Sequence, residues 1–196
     1  MGRLKNLIEF LKSDAYRYIG NSSVLSRIML YIKSAGYNYS CKMRFVKYCN
    51  DGKLTKILFP IAYLRYRRAM IRYGISIPYK TEIGYGLYIG HFGGIVINSE
   101  CKIGNNVNIS QGVTIGQAGE NGNKQCPVIE DCVYIGPKAT IVGGVTIHEH
   151  ASIGANSFVN KNVDSHTTVG GVPAKVISYK GSVDYIHNIY FKHQTE

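Results

Sequence analysis

The chain has 196 residues, 45 % of them hydrophobic and 18 % charged, a composition typical of a folded protein rather than a disordered tail or a membrane bundle. A chain of this length can bury one core, or one core with a helical appendage. The longest apolar stretch near the start, residues 57–64, is too short to cross a bilayer, and charged residues interrupt any signal-peptide core. We therefore expect a cytoplasmic protein.

The net charge of +11 is unevenly distributed. Residues 1–75 contain 15 Lys and Arg against 3 acidic residues, a balance of +12, whereas residues 76–196 contain 8 against 9, a balance of −1. A basic surface can meet nucleic acid, an anionic membrane or only solvent. No nucleic-acid-binding motif accompanies the charge, so we expect no nucleic-acid partner. The arginines that follow the apolar run 57–64 leave two alternatives open, plain solvation of their charges and a peripheral contact with the anionic inner face of the membrane.

The apolar residues of the first 75 positions recur at helical spacing, which predicts a helical N-terminal segment over residues 1–75. After Gly74 an aliphatic residue recurs every six positions, with one two-residue insertion and one longer interruption. The thirteen positions are Ile77, Ile83, Ile89, Ile95, Ile103, Ile109, Ile115, Ile129, Ile135, Ile141, Ile147, Ile153 and Val159.

A six-residue period is one short strand and one corner, and three such repeats close one triangular coil. The sequence thus predicts a mainly β protein, a parallel β-helix over residues 76–178, followed by a tail over residues 179–196. The interruption at residues 116–127 is polar and rich in Gly and Asn, which is typical of a loop extruded from a rigid solenoid. The five cysteines are odd in number and form no Cys-x-x-Cys pair, so neither a disulfide framework nor a thiolate metal site is predicted.

The repeat, the loop and the closing Gly-Gly-Val-Pro-Ala-Lys-Val at residues 170–176 resemble the hexapeptide-repeat acyltransferases. The branch most similar is that of the serine acetyltransferases and the related sugar and polysaccharide O-acetyltransferases. This resemblance implies a left-handed winding, a homotrimer, and acetyl-CoA as co-substrate in a groove between subunits, without a metal.

The resemblance also assigns roles to individual residues. His91 matches the family's catalytic histidine, and histidine suits a base that removes a hydroxyl proton near neutral pH. Backbone N–H groups at Gly116 and Gln117 are expected to stabilise the oxyanion. Five further positions match residues that contact the cofactor in related enzymes: Pro137, Ala155, Asn160, Lys161 and Lys175.

Two departures from the serine-acetylating pattern bear on the acceptor. Those enzymes place Asp before the catalytic His, where this chain has Gly90, and Arg-His-Pro at the end of the loop, where it has Gln-Cys-Pro at residues 125–127. A site without charged partners would desolvate a zwitterion at considerable cost. We therefore predict a sugar hydroxyl in a surface polysaccharide or its precursor as acceptor. The residues expected to bind it are Tyr85, Phe92 and Gln125, with further hydrogen bonds from Gln117, Asn121 and Asn123.

Three other interpretations remain open at this point. The first is a serine O-acetyltransferase of cysteine biosynthesis. The second is a β-helical zinc enzyme of the carbonic-anhydrase type, for which His91, His148 and His150 are the only histidines in the repeat region up to Val159. The third is a non-enzymatic scaffold on the same fold.

Overall fold

The computed structural model describes residues 2–20, 23–119 and 125–192. Within these ranges four α-helices precede the strands: α1 (Gly2–Ile19), α2 (Val24–Lys33), α3 (Ala35–Asn50) and α4 (Phe59–Tyr73), with a 3₁₀ turn at Thr55–Leu58 before α4. Ser23 and Ser34 cap α2 and α3 by accepting backbone N–H bonds from Ser26 and Tyr37. Such caps satisfy N–H groups that the first helical turn leaves free. No helix in the described ranges combines the length and apolar character needed to span a bilayer.

From Ile75 onward the chain forms a triangular prism of three sheets. The first sheet contains β1 (Ile75–Ser76), β4 (Ile95–Ile97), β7 (Thr114–Gly116), β10 (Thr140–Val142) and β13 (Phe158–Val159). The second contains β2 (Glu82–Ile83), β5 (Lys102–Ile103), β8 (Val128–Ile129) and β11 (Thr146–Ile147). The third contains β3 (Tyr88–Ile89), β6 (Asn108–Ile109), β9 (Tyr134–Ile135), β12 (Ser152–Ile153), β14 (Thr168–Gly170) and β15 (Lys175–Ser178).

Successive coils stack in parallel register, and on the second and third sheets the aliphatic repeat residues lie on one another. On the first sheet the two-residue insertion shifts the alignment, so that Ile95 lies on Ile75 and Ile115 lies on Ile97. Ile83 is aligned with Ile103, and Ile103 with Ile129. All thirteen repeat positions are at most 9 % exposed. Only β15 runs antiparallel, against β14, and it covers the last rung of the third sheet. The prediction of a helical segment followed by a parallel β-helix is confirmed.

The first coil has no coil beneath it, and side chains of the helices take the hydrogen bonds that a neighbouring strand would make. Asp14 accepts the N–H of Leu87 at 2.9 Å and forms a two-pronged ion pair with Arg44 at 2.7 and 2.9 Å. Arg44 also donates to the carbonyl oxygen of Gly84 at 2.7 Å. Both charged side chains are buried, so the pair connects α1 and α3 to the edge of the prism.

Two tyrosines, Tyr39 and Tyr66, likewise bond backbone groups of the first coil, here those of Ile77. The Tyr39 hydroxyl accepts the N–H of Ile77 at 3.1 Å and donates to its carbonyl oxygen at 2.8 Å. Tyr66 of α4 donates to the same carbonyl oxygen at 2.5 Å. Since exposed strand edges invite pairing with other chains, the helices both close the prism and protect its first rung.

The segment after β15 packs along the prism rather than extending into solvent. The Ser182 hydroxyl donates to the carbonyl oxygen of Cys132 at 2.6 Å, and Tyr185 stacks on Tyr134 with ring centroids 4.2 Å apart. Asn106 and Tyr190 exchange two hydrogen bonds of 2.9 and 3.1 Å. Residues 182–190 thus form a strap from the later coils back to the first ones.

The buried ion pair generates a stability prediction. Asp14→Asn leaves the Arg44 guanidinium buried without a counter-ion, which typically costs about 3–5 kcal/mol. We expect the urea midpoint of unfolding, followed by circular dichroism, to fall accordingly. The matched control is Asp184→Asn, the same change at an exposed position, for which we expect a shift within about 0.5 kcal/mol. Equal midpoints for the two variants would show that the pair does not anchor the helices.

Candidate active site

His91 lies on the corner that connects β3 to β4, and its side chain is exposed. Gly93 and Gly94 turn the chain there with φ values of 105° and 67°, which side chains with a Cβ rarely adopt. The carbonyl oxygen of Gly93 accepts the N–H of Gly112 from the corresponding corner of the next coil at 2.8 Å. The corner is therefore fixed both by its own glycine turn and by a hydrogen bond from the next coil.

The strand that leads to His91 is held by the helices. The Tyr18 hydroxyl of α1 accepts the N–H of Ile89 at 2.9 Å and donates to its carbonyl oxygen at 3.0 Å. The Tyr18 ring also lies 4.4 Å from that of Tyr88. Burial raises the pKa of the Tyr18 hydroxyl, so it stays neutral and keeps both bonds. The position of His91 thus depends on α1 as well as on the repeat.

The corresponding corners of successive coils form a continuous edge, which we call the His91 ridge: residues 90–94, 110–113, 136–139, 154–157 and 170–174. Hydrogen bonds run along it, from Lys138 N–H to the Gln111 carbonyl oxygen at 2.9 Å and from Asn156 N–H to the Pro137 carbonyl oxygen at 2.8 Å. Each coil adds about 4.8 Å, the spacing of neighbouring strands.

Two of the predicted cofactor residues lie on this ridge, and a third, Lys175, directly follows its last corner. Pro137 is two coils from His91, and the exposed Ala155 is three coils away. Lys175 begins β15 opposite Gly170, five strand spacings or about 24 Å from the strand that leads to His91. A strip of small side chains therefore leads from an exposed imidazole to an exposed ammonium group. An elongated ligand with a reactive group at one end and anionic groups at the other fits this arrangement.

The two predicted oxyanion residues and the other two predicted cofactor residues lie on the opposite edge of the first sheet. We call this edge the loop edge: it consists of the ends of β4, β7, β10 and β13 and the turns that follow them. Gly116 and Gln117 end β7, and Asn160 and Lys161 follow β13. The strands of the first sheet have up to three residues, which makes the sheet about 10 Å wide. One chain therefore does not bring Gly116 to its own His91.

The loop edge contains open space at its centre. Apart from Gly116 and its two chain neighbours, no atom of the described residues lies within 4 Å of the position that a Cβ on Gly116 would take. The base of the extruded loop is closed by Ala118 and Gln125, which exchange two backbone hydrogen bonds of 3.1 Å. The Gln125 side chain lies over Gly144 of the next coil, so its amide is held at the loop edge and not at His91.

The residues predicted to bind a sugar do not converge. Tyr85 lies on the corner between β2 and β3, where its ring stacks on Phe10 with centroids 4.4 Å apart, with Tyr190 6.5 Å away. Phe92 is adjacent to His91 and exposed, and its ring lies 6.0 Å from Tyr73. Asn121 and Asn123 lie outside the described residues.

Nor do the histidines of the zinc interpretation come together. His148 and His150 follow β11 on another corner of the prism, where the Nδ1 atom of His148 lies 3.2 Å from a Glu130 carboxylate oxygen. Among the residues that the structure describes, no three or more His, Cys, Asp or Glu side chains are grouped so as to hold a metal ion.

Lys138 is a residue that sequence reasoning missed. It lies on the His91 ridge with φ 59°, and its side chain lies over Gly112, one coil from the corner that carries His91. Its aliphatic stem therefore lies on the ridge next to the single coil that separates it from the His91 corner. The signal was its place directly after Pro137, in a turn where only the proline was matched to the family.

Comparison with known proteins identifies relatives of this chain. Residues 126–161 match the family model for the bacterial transferase hexapeptide (six repeats). A serine acetyltransferase of Staphylococcus xylosus is 43 % identical over 108 residues, which are 55 % of this chain and 50 % of that protein. The chain thus spans about half the length of the curated relatives it matches.

Solved structures extend the likeness to the helices. The serine acetyltransferase of Vibrio cholerae O1 has a TM-score of 0.71 at 28 % identity, over 88 % of this chain and 66 % of that one. The Neisseria gonorrhoeae serine acetyltransferase in complex with serine has a TM-score of 0.69 at 30 % identity, over 90 % and 69 % of the two chains.

These relatives contradict the prediction of a sugar hydroxyl in polysaccharide biosynthesis, because they are serine acetyltransferases. That prediction inferred from two family positions, Gly90 and the end of the loop, that the acceptor site contains no charged partners for an amino acid. Lys138, which lies on the ridge, was not included in that assessment. With its helical N-terminus and left-handed parallel β-helix, the chain belongs to the hexapeptide-repeat acyltransferases, in the serine acetyltransferase-like branch.

Proposed function

We propose that this protein is an acetyl-CoA-dependent O-acetyltransferase whose acceptor is the hydroxyl group of serine. The observation that carries the proposal is the His91 ridge, on which an exposed histidine, a strip of small residues and Lys175 follow one another in a family whose compared members are serine acetyltransferases. On this ridge the acyl thioester lies near His91, the pantetheine arm passes Pro137 and Ala155, and Lys175 meets the phosphates as a point charge.

The reaction needs one base, one oxyanion site and a path for one proton. The serine hydroxyl oxygen attacks the thioester carbonyl carbon while the imidazole of His91 takes the hydroxyl proton. Backbone N–H groups at Gly116 and Gln117 donate to the oxygen that becomes negative. The carbon–sulfur bond then breaks, the imidazolium returns its proton to the departing thiolate, and O-acetylserine and CoA are formed.

The two halves of this machinery come from different subunits of a homotrimer. Because the first sheet separates the His91 ridge from the loop edge by about 10 Å, a site that uses both needs the ridge of one subunit and the loop edge of the next. A closed ring with three-fold symmetry creates three identical sites of this kind. Asn160 and Lys161, on the loop edge, then approach the cofactor bound to the neighbouring ridge.

Charged groups for the amino acid are available on both sides of such a groove. On the His91 ridge we assign Lys138, whose side chain lies over Gly112, to the serine carboxylate. Glu100 is exposed on the loop edge, in the turn after β4, and is placed to meet the ammonium group from the neighbouring subunit. When both charges of serine are paired in this way, the pairing offsets the free-energy cost of removing the zwitterion from water.

The role of His91 is tested by His91→Ala. We expect serine-dependent release of the CoA thiol to fall by about 10² to 10⁴. The affinity for acetyl-CoA, measured by calorimetry, should be unchanged because other residues bind the cofactor. His148→Ala, at another corner, is the control and should retain normal turnover. Near-normal turnover of His91→Ala would remove it as the base, and no serine-dependent thiol release by the wild type would refute serine as acceptor.

Lys138 gives a prediction about the acceptor alone. Lys138→Gln should raise the KM for serine up to about fivefold, as expected when an exposed charge pair is lost, with little change in the KM for acetyl-CoA. Lys102→Gln, on the second sheet, should leave both values unchanged. A KM change confined to acetyl-CoA would place Lys138 at the cofactor instead.

The shared site is tested by mixing two inactive variants. Gly116→Leu fills the open space at the loop edge, and His91→Ala removes the base on the ridge. Each should be inactive alone, whereas trimers reassembled from equal amounts should regain about 25 % of wild-type activity, because every mixed trimer contains one site with both intact halves. Mixtures that stay inactive, although light scattering shows trimers, would place the whole site within one chain.

A further inference from the structure

Helix α2 is unusual in that none of its ten residues is buried. Five aliphatic side chains on it are 46–73 % exposed: Val24, Leu25, Ile28, Met29 and Ile32. Their spacing of one, three and four positions places them on one side of the helix. In a protein whose core repeats are almost fully buried, such a stripe is not explained by packing within the chain.

A second apolar stripe lies on the 3₁₀ turn and α4. It consists of five aliphatic side chains that are 47–91 % exposed: Leu54, Ile57, Leu58, Ile61 and Leu64. The two stripes border a common groove of about 560 Å³ across α3, with Ile28, Tyr31, Phe45, Leu58 and Ile61 among its lining residues. We call the two stripes and this groove the apolar helix face. Contiguous exposed apolar surface of this kind marks an interaction site.

Cations line the same groove. Arg27 of α2, Lys42 of α3 and Arg65 of α4 contribute to its wall, and no carboxylate is among the side chains that line it in the described structure. Burial, together with the nearby positive charges of Arg65 and Arg72, lowers the pKa of the Lys42 ammonium group. The positive charges are therefore crowded, and an anion placed among them relieves their repulsion.

The acidic residues of the helical N-terminal segment make their contacts away from the apolar helix face. Asp14 is buried in its pair with Arg44, and the Glu9 carboxylate accepts the hydroxyl hydrogen bond of Tyr190. Asp51 caps the end of α3 and accepts a hydrogen bond from the Asn50 side-chain amide. The balance of +12 over residues 1–75 is thus not neutralised at the apolar helix face.

We propose that the apolar helix face docks on an anionic phospholipid bilayer. Exposed aliphatic stripes with basic residues at their border are what an interfacial helix presents to the headgroup region, where apolar side chains enter the acyl boundary and cations meet lipid phosphates. A second copy of the chain fits less well, because it would bring the same cations together. The proposal is independent of the acceptor and of the His91 ridge.

Co-sedimentation of the full chain with vesicles tests the docking. Vesicles of phosphatidylglycerol and phosphatidylcholine should bind the protein, pure phosphatidylcholine should not, and physiological salt should weaken the binding. Arg27→Gln/Arg65→Gln should lower the partition coefficient about 30-fold, since each cation near an anionic leaflet contributes. Leu25→Ser/Ile32→Ser, both exposed positions, should lower it about tenfold through lost apolar contact.

Control variants on the prism and tail carry the same types of substitution, cation to Gln and apolar residue to Ser, outside the apolar helix face. Lys102→Gln/Lys180→Gln and Tyr179→Ser/Val183→Ser, all at exposed positions, should bind vesicles like the wild type. No binding to anionic vesicles, or an equal loss with these controls, overturns the proposal. Unchanged binding of Leu25→Ser/Ile32→Ser also overturns it, because the attraction would then be general to polyanions. A smaller particle by light scattering for that variant would instead make the face a contact between copies.

Discussion

The prism depends on how its first rung is closed. A parallel β-helix satisfies its backbone by stacking coil on coil, so the first coil alone lacks a partner for its N–H and C=O groups. Here helix side chains supply that partner: Asp14 and Arg44 at one edge, Tyr39 and Tyr66 at another, Tyr18 at a third. Because an unpaired buried backbone group costs about as much as a lost hydrogen bond, the helices are part of the fold's closure and not an accessory.

This closure also reaches the candidate site. Tyr18 holds both backbone groups of Ile89, two residues before His91, and the corner that follows is bonded to the next coil through Gly93 and Gly112. The helical face that carries exposed aliphatic residues and the ridge that carries the histidine therefore belong to one connected framework. Groups on rigid elements of this kind are held more accurately than groups on loops.

The sequence predicted the prism well because its signal is local and repeated. Each coil repeats the same choice at Ile109, Ile135 and Ile153, so thirteen positions support one another. Contacts between distant residues had no such signal: Asp14 and Arg44 are 30 positions apart, and Asn106 and Tyr190 are 84 apart.

The candidate site was predicted unevenly for the same reason. His91, Pro137, Ala155 and Lys175 follow from motif matches along one ridge, whereas the position of Tyr85 depends on Phe10 and Tyr190, which no motif connects. The acceptor was misjudged because charge was assessed residue by residue against a family pattern. A cation can reach a ridge from any coil that borders it, as Lys138 does, and only the stacking of coils reveals which ones do.

Because the coils stack along the His91 ridge, the fold fixes the distances between groups on that ridge in equal steps. Groups on the same corner can be separated only by whole multiples of about 4.8 Å, so the five steps from the strand before His91 to the strand of Lys175 set a ligand length that point substitutions cannot adjust. Insertion or loss of one complete coil would change that length by a single step and leave each remaining corner intact. Any shorter insertion would rotate the later residues onto another edge or be extruded from the prism. Within such a scaffold, a change of ligand length is a change in the number of coils.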